Sequence, residues 1–157
     1  MENPVHQIYG NRVRVRTCGI CIMGDALVMV NHRHLTDTDF WAPPGGGIEF
    51  GEDAAACLTR EFSEETGLKV DVGPFLFACE LVKPPLHAVE LFFHVIYKGG
   101  ELITGTDPES GDQQIIKEVR MLTSADIRKL GVSRVHGILS RYPDIGQITA
   151  LRGYFKL

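Results

Sequence analysis

Residues Gly46 to Leu68 constrain this chain more than any other stretch. Pro43 and Pro44 lead into Gly45, Gly46 and Gly47, so the backbone there can turn tightly and approach a ligand closely. A helix pattern follows at once. Ala54, Ala55, Ala56, Leu58 and Arg60 favour helix, and Ala55, Leu58 and Phe62 recur at spacings of three and four. Gly67 suits the left-handed position just past a helix end. Glu52 and Asp53 put negative charge at the first turn, so the spacing predicts a helix over Glu52–Thr66.

On that helix Glu61, Glu64 and Glu65 stand three and four apart and can face one small volume. Like charges so spaced destabilise a helix by about 0.2–0.5 kcal/mol per pair, and by more beside a core unless a cation sits among them. Hard divalent ions accept carboxylate oxygens and keep waters and phosphates as remaining ligands. Such an ion polarises phosphoryl oxygens and lowers the pKa of a bound water, which is hydrolytic chemistry. The competing reading is a solvated acidic helix face. The turn bearing Glu61 and Glu65 has no lysine, and a glycine loop feeds directly into the helix; both count against that reading.

The fixed positions Gly46, Glu52, Arg60, Glu61, Phe62, Glu64, Glu65, Gly67 and Leu68 resemble the Nudix box, the signature of the Nudix hydrolases, with every position filled. Phe62 stands where an aliphatic residue is commoner. Trp41, Pro43, Pro44 and Gly45 resemble the usual lead-in. The resemblance implies an α/β fold, the Nudix-type α/β/α sandwich with a mixed sheet. It implies metal-dependent hydrolysis of the pyrophosphate linkage in a nucleoside diphosphate-linked small molecule, by water attack on phosphorus. Magnesium or manganese is the implied cofactor, with Glu61, Glu64, Glu65 and the carbonyl of Gly46 as its ligands. Arg60 resembles the arginine that orients these glutamates, and Glu52 its partner or an outer ligand. The general base is left among Glu61, Glu64, Glu109 and Glu118.

The resemblance leaves the substrate open between a nucleoside triphosphate, as in MutT-like enzymes, and a nucleotide sugar or ADP-ribose. Pro84 stands where many ADP-ribose pyrophosphatases carry a proline, and Pro84-Pro85 reads equally as a plain turn. RNA 5′-end processing is disfavoured by the acidic balance. A catalytically silent Nudix-fold nucleotide-binding regulatory domain is the remaining alternative, and the intact glutamates count against it. A homodimer is left open.

The 157 residues suggest one domain over 1–157, with Met1 to Asn11 as a loose leader. An apolar share of 44% and a charged share of 23% are those of an ordinary globular chain. The net charge of −4 argues against general nucleic-acid binding, though not against a small anionic substrate beside a metal. No apolar run is long enough to span a membrane and no signal core is evident, so the expected location is cytoplasmic. The four cysteines do not suggest a disulfide framework. Cys18 and Cys21 fall inside a strand pattern and face opposite sides, which favours core filling over metal binding. Cys57 and Cys79 read the same way.

Arg12–Met23 and Ala26–Val30 read as a hairpin turning at Gly24-Asp25. His32 and His34 at its end read as surface or packing residues. Arg33 is placed to meet a phosphate or to end the strand in solvent. Trp41 is a packing anchor or a face for a base, and with Arg33, Gly45 and Gly46 it completes the substrate-binding candidates. Val70 to Lys83 reads as a strand interrupted at Gly73-Pro74, Ala88–Tyr97 as a strand buried on both faces, and 101–104 as a short strand. Gly105 to Gln114 is a polar loop with Asp107, Glu109 and Asp112. Ile115–Leu122 reads as a strand, Thr123–Leu130 as a helix with a capping box, and Val132–Tyr142 as a further helix. The tail is expected to end in a helix or a strand.

Overall fold

The computed structural model describes residues 3–33, 38–111 and 114–157. The readings of His34 and Asp112 lie outside these residues. The expected hairpin is present as β1 (Arg12–Met23) and β2 (Ala26–His32), joined through Gly24 at a φ of 65°. Strand β1 also pairs in parallel with β6 (Leu86–Gly99), and β6 pairs antiparallel with β5 (Lys69–Lys83). A bulge falls between Val72 and Phe75, where Gly73-Pro74 interrupts the pattern. Strands β3 (Phe40–Ala42) and β7 (Ile116–Thr123) flank β2, β4 (Gly45–Gly47) pairs with β1, and β8 (Gly153–Lys156) closes the far edge on β5. Among the described residues this makes one mixed eight-stranded sheet.

Helices cover both faces of the sheet. Helix α2 (Ala54–Thr66) packs Leu58 and Phe62 against Cys21, Val28, Leu68 and Val95. On the other face lie α3 (Ser124–Leu130), α4 (Gly137–Arg141) and α5 (Ile145–Ile148). Their Ile127, Ile138, Leu139 and Ile148 meet Cys18, Ile20, Phe77 and Phe92. Cys18 and Cys21 thus serve opposite cores, and all four cysteines are buried and free. This is the α/β/α sandwich. Among the described residues no helix is long and apolar enough to cross a membrane.

Helix α2 begins two residues later than expected because the Asp53 side chain caps it, accepting from the Ala56 N–H at 2.8 Å. Gly67 ends it at a φ of 74°. The capping box of α3 is present, with Thr123 and Asp126 bonded reciprocally.

Four expectations need correction. Residues Pro4–Tyr9, expected as part of a loose leader, form helix α1, capped by Asn3 and held by a small core of Val5, Tyr9 and Ile115. Residues 101–104 form no strand. Their segment runs along the end of α2, where the N–H groups of Ile103, Gly105 and Thr106 donate to the carbonyls of Thr66, Glu65 and Glu64. Helix ends leave carbonyls unpaired, and these bonds satisfy them. Only Gly137–Arg141 of Val132–Tyr142 is helical, because Val135 pairs with Trp41 as an isolated bridge instead. Strand β6 is packed on both faces only at its middle, where Phe92 and Val95 enter opposite cores; Ile96 and Tyr97 are exposed. The tail forms both elements, helix α5 and strand β8.

Candidate active site

The three glycines of β4 lie between β1 and the carboxylate helix. A Cβ on Gly46 would collide with the Glu61 carboxylate, and one on Gly45 with the Thr17 carbonyl. Close approach, rather than turning, is what requires glycine at both positions. The Gly45 N–H donates to Glu65 Oε2 at 3.0 Å. Glu61 and Glu65 are 4% and 3% exposed, a burial that carboxylates accept only with partners.

Arg60 is the main partner of Glu61. Its Nε and Nη2 donate to the two oxygens of Glu52 at 3.1 and 2.7 Å, and its Nη1 donates to Glu61 at 3.0 Å and Glu64 at 3.2 Å. Its hydrogen bonds hold Glu52 down to about 2. They do not satisfy the interior pair. Burial, with Glu64 and Glu109 nearby, pushes Glu61 up to about 7 against the pull of Arg60. Burial and the Glu61 charge push Glu65 well above the ordinary carboxylate range.

Among the described residues no three His, Cys, Asp or Glu side chains are gathered as a ready metal-binding group, and Glu61 and Glu64 are turned onto Arg60. The donors still suit a hard divalent ion. They are oxygens, two are buried and short of positive charge, and Gly46 keeps the backbone against them.

A cavity of about 640 Å³ opens beside this cluster. Gly45, Gly46, Glu61, Glu65 and Glu109 all line it, so the structure brings these expected residues together. Arg60 and Glu64, also on α2, do not line it. Trp41 does not face the cavity: it is 3% exposed in the core, and its backbone pairs with Arg134 and His136. Its side chain is packed in the core. Arg33 is exposed and also outside the cavity. Glu118 pairs with Arg120 at 2.9 Å, away from the site. Pro84 lies in the β5–β6 turn and does not reach the cavity lining.

Sequence reasoning missed the charged floor of the cavity. Arg16 Nη1 donates to Glu90 Oε2 at 2.7 Å, and Glu90 Oε1 lies 2.8 Å from His136 Nε2. Burial raises the pKa of Glu90, but His136 and Arg16 outweigh it and hold the carboxyl at about 2. Arg16 Nη2 also donates to the Gly45 carbonyl at 3.3 Å, which ties this floor to the glycine strand. Arg14, on the same face of β1, lies 3.6 Å from Glu109. His32 lines the cavity as well, and burial with the Arg16 charge lowers it to about 3, so it is neutral. The available signal was Glu90 itself, a lone carboxylate inside an apolar strand. Arg14 and Arg16 alternating with Val13 and Val15 gave the other.

Comparison with known proteins agrees with the fold. A NUDIX hydrolase from Nitrosomonas europaea superposes with a TM-score of 0.67 at 17% identity, covering 92% of this chain and 79% of that one. An RNA pyrophosphohydrolase from Roseobacter denitrificans is 33% identical over 95 residues, 57% of this chain and 59% of its own. An ADP-ribose pyrophosphatase from Methanocaldococcus jannaschii is 28% identical over 96 residues, 60% of this chain and 57% of its own. The chain thus spans less than two thirds of these curated relatives. The NUDIX domain model matches residues 12–141, from the first residue of β1 to the last of α4, and the chain belongs to the NUDIX family.

Proposed function

We propose that this domain hydrolyses a phosphoanhydride bond in a nucleoside diphosphate-linked small molecule. The observation that carries the reading is the buried Glu61–Glu65 pair beneath the glycine strand, opening on a cavity floored by arginine. The names of the relatives, an RNA pyrophosphohydrolase and an ADP-ribose pyrophosphatase, support the same bond class. The cavity is larger than a diphosphate needs, and its apolar wall, including Leu81, Leu86 and Val135, suits a nucleobase.

In this proposal Glu61, Glu64, Glu65 and the Gly46 carbonyl hold magnesium or manganese. The ion supplies polarisation of the phosphoryl oxygens and an acidified water. Arg60 keeps Glu52, Glu61 and Glu64 in one register. Arg14 and Arg16 offer positive charge to the phosphates. Glu109 lines the cavity and Glu118 does not, so Glu109 is the carboxylate assigned to accept the proton from water. A cytoplasmic location belongs to the same proposal.

The test is turnover of ADP-ribose, nucleotide sugars, nucleoside triphosphates and dinucleoside polyphosphates with magnesium, with the Glu65→Gln variant as control. Cleavage of one of these at the anhydride, abolished in the variant, is expected. Equal turnover by the variant would overturn the assignment.

A further inference from the structure

Helix α1 lies outside the family match, which begins at residue 12, yet its Val5 and Tyr9 line the active-site cavity. It is firmly seated. The Asn3 side chain accepts from the Val5 N–H at 2.9 Å, and the Asn11 N–H donates to the Pro85 carbonyl at 2.8 Å. Tyr9 makes two contacts that simple core filling does not require. The Arg14 guanidinium lies over its ring, 4.0 Å from the centroid. The Tyr9 hydroxyl donates to Asp107 Oδ2 at 2.8 Å.

Asp107 and Glu109 share one loop, and the Asp107 side chain accepts from the Glu109 N–H at 3.0 Å. Tyr9 therefore touches Arg14 on one side and the Glu109 loop on the other. Among the described residues Arg14 stacks its guanidinium on the Tyr9 ring. Its carboxylate partner, Glu109, is 3.6 Å away, beyond good hydrogen-bond distance. A guanidinium stacked in place but loosely paired is prepared to accept an anionic oxygen.

We propose that Tyr9 is a positioning residue for substrate binding: α1 sets the affinity for phosphate-bearing ligands by fixing Arg14 through the Tyr9 ring and the Glu109 loop through the Tyr9 hydroxyl. The proposal rests on the phosphoanhydride reading above. A partly desolvated cation–π contact of this kind corresponds to about a tenfold change in affinity.

The experiment compares wild type, Tyr9→Phe and Tyr9→Leu in the full chain. Steady-state kinetics would use whichever panel substrate is cleaved. Calorimetric binding would use the non-hydrolysable α,β-methylene analogue of adenosine diphosphate. Tyr9→Leu is expected to raise both KM and Kd by about tenfold and, because it also frees the Glu109 loop, to lower kcat as well. Tyr9→Phe keeps the ring and should recover most of the affinity. Unchanged Kd in Tyr9→Leu would overturn the proposal, as would a loss confined to kcat or absence of binding by wild type. If wild type binds the analogue but cleaves no anhydride, the hydrolytic reading fails and the Kd comparison still decides the role of Tyr9.

Discussion

Replacing Glu61 by Gln will flatten the pH dependence of stability in the metal-free domain. Folded Glu61 keeps its proton up to about pH 7 because it is buried. In the unfolded chain a glutamate releases it near about 4.3. A group whose folded pKa is raised stabilises the fold fully below the unfolded value and loses that contribution as pH rises through the folded one. Between pH 5 and pH 8 the loss is about 2.5 kcal/mol, which for a chain of this size is about 5–10 °C in Tm. The side chain is only 6% exposed, so solvent screening does not reduce this. Removing Glu61 also relaxes Glu65, whose pKa its charge helps to raise, and that change has the same sign. His32 works the opposite way below about pH 6.5, because its folded pKa is depressed to about 3, but it is common to both proteins and cancels in the comparison. The assay is thermal unfolding in chelator at pH 5, 6, 7 and 8. Parallel curves for wild type and Glu61→Gln would refute the claim that this carboxyl is the buried proton holder.

Three further outcomes are expected. Adding magnesium should raise Tm more at pH 8 than at pH 5, because the carboxylates need a cation only once ionised; equal shifts in thermal unfolding would count against a carboxylate site. Glu109→Gln should lower kcat by about 10²–10⁴-fold, read by initial rates. Glu90→Gln should destabilise by about 3–5 kcal/mol, measured by urea unfolding, because Arg16 and His136 are left around a neutral side chain in a buried site.

The carboxylate helix was readable because its main signals are local: stripe, glycine stop and glutamate spacing lie within a few turns. The same holds for the β1–β2 hairpin and the α3 capping box. What was not readable depends on partners distant in the chain. Arg16, Glu90 and His136 come from β1, β6 and the start of α4, and only the parallel β1–β6 register, Arg16 opposite Glu90, brings the first two together. Segment 101–104 has strand-like composition, but the carbonyls at the end of α2 claimed its N–H groups. Trp41 could pack or stack by type alone; its place in the core depends on partners such as Val135, far away in the chain. Pro4–Tyr9 is too short for periodicity to reveal a helix, and its reason for being ordered, Ile115, lies over a hundred residues away.

The contact between the end of α2 and residues 103–106 has a mechanical consequence. Glu64 and Glu65 give their carbonyls to Thr106 and Gly105, and two residues further on the chain reaches Asp107 and then Glu109. The helix that carries the cluster and the loop that carries the opposing carboxylate are therefore one joint rather than two parts that meet by chance. A Cβ at Gly105 would strike the Glu64 carbonyl, so a methyl group there would wedge that joint apart and displace both sides of the site together, without touching a carboxylate group of either.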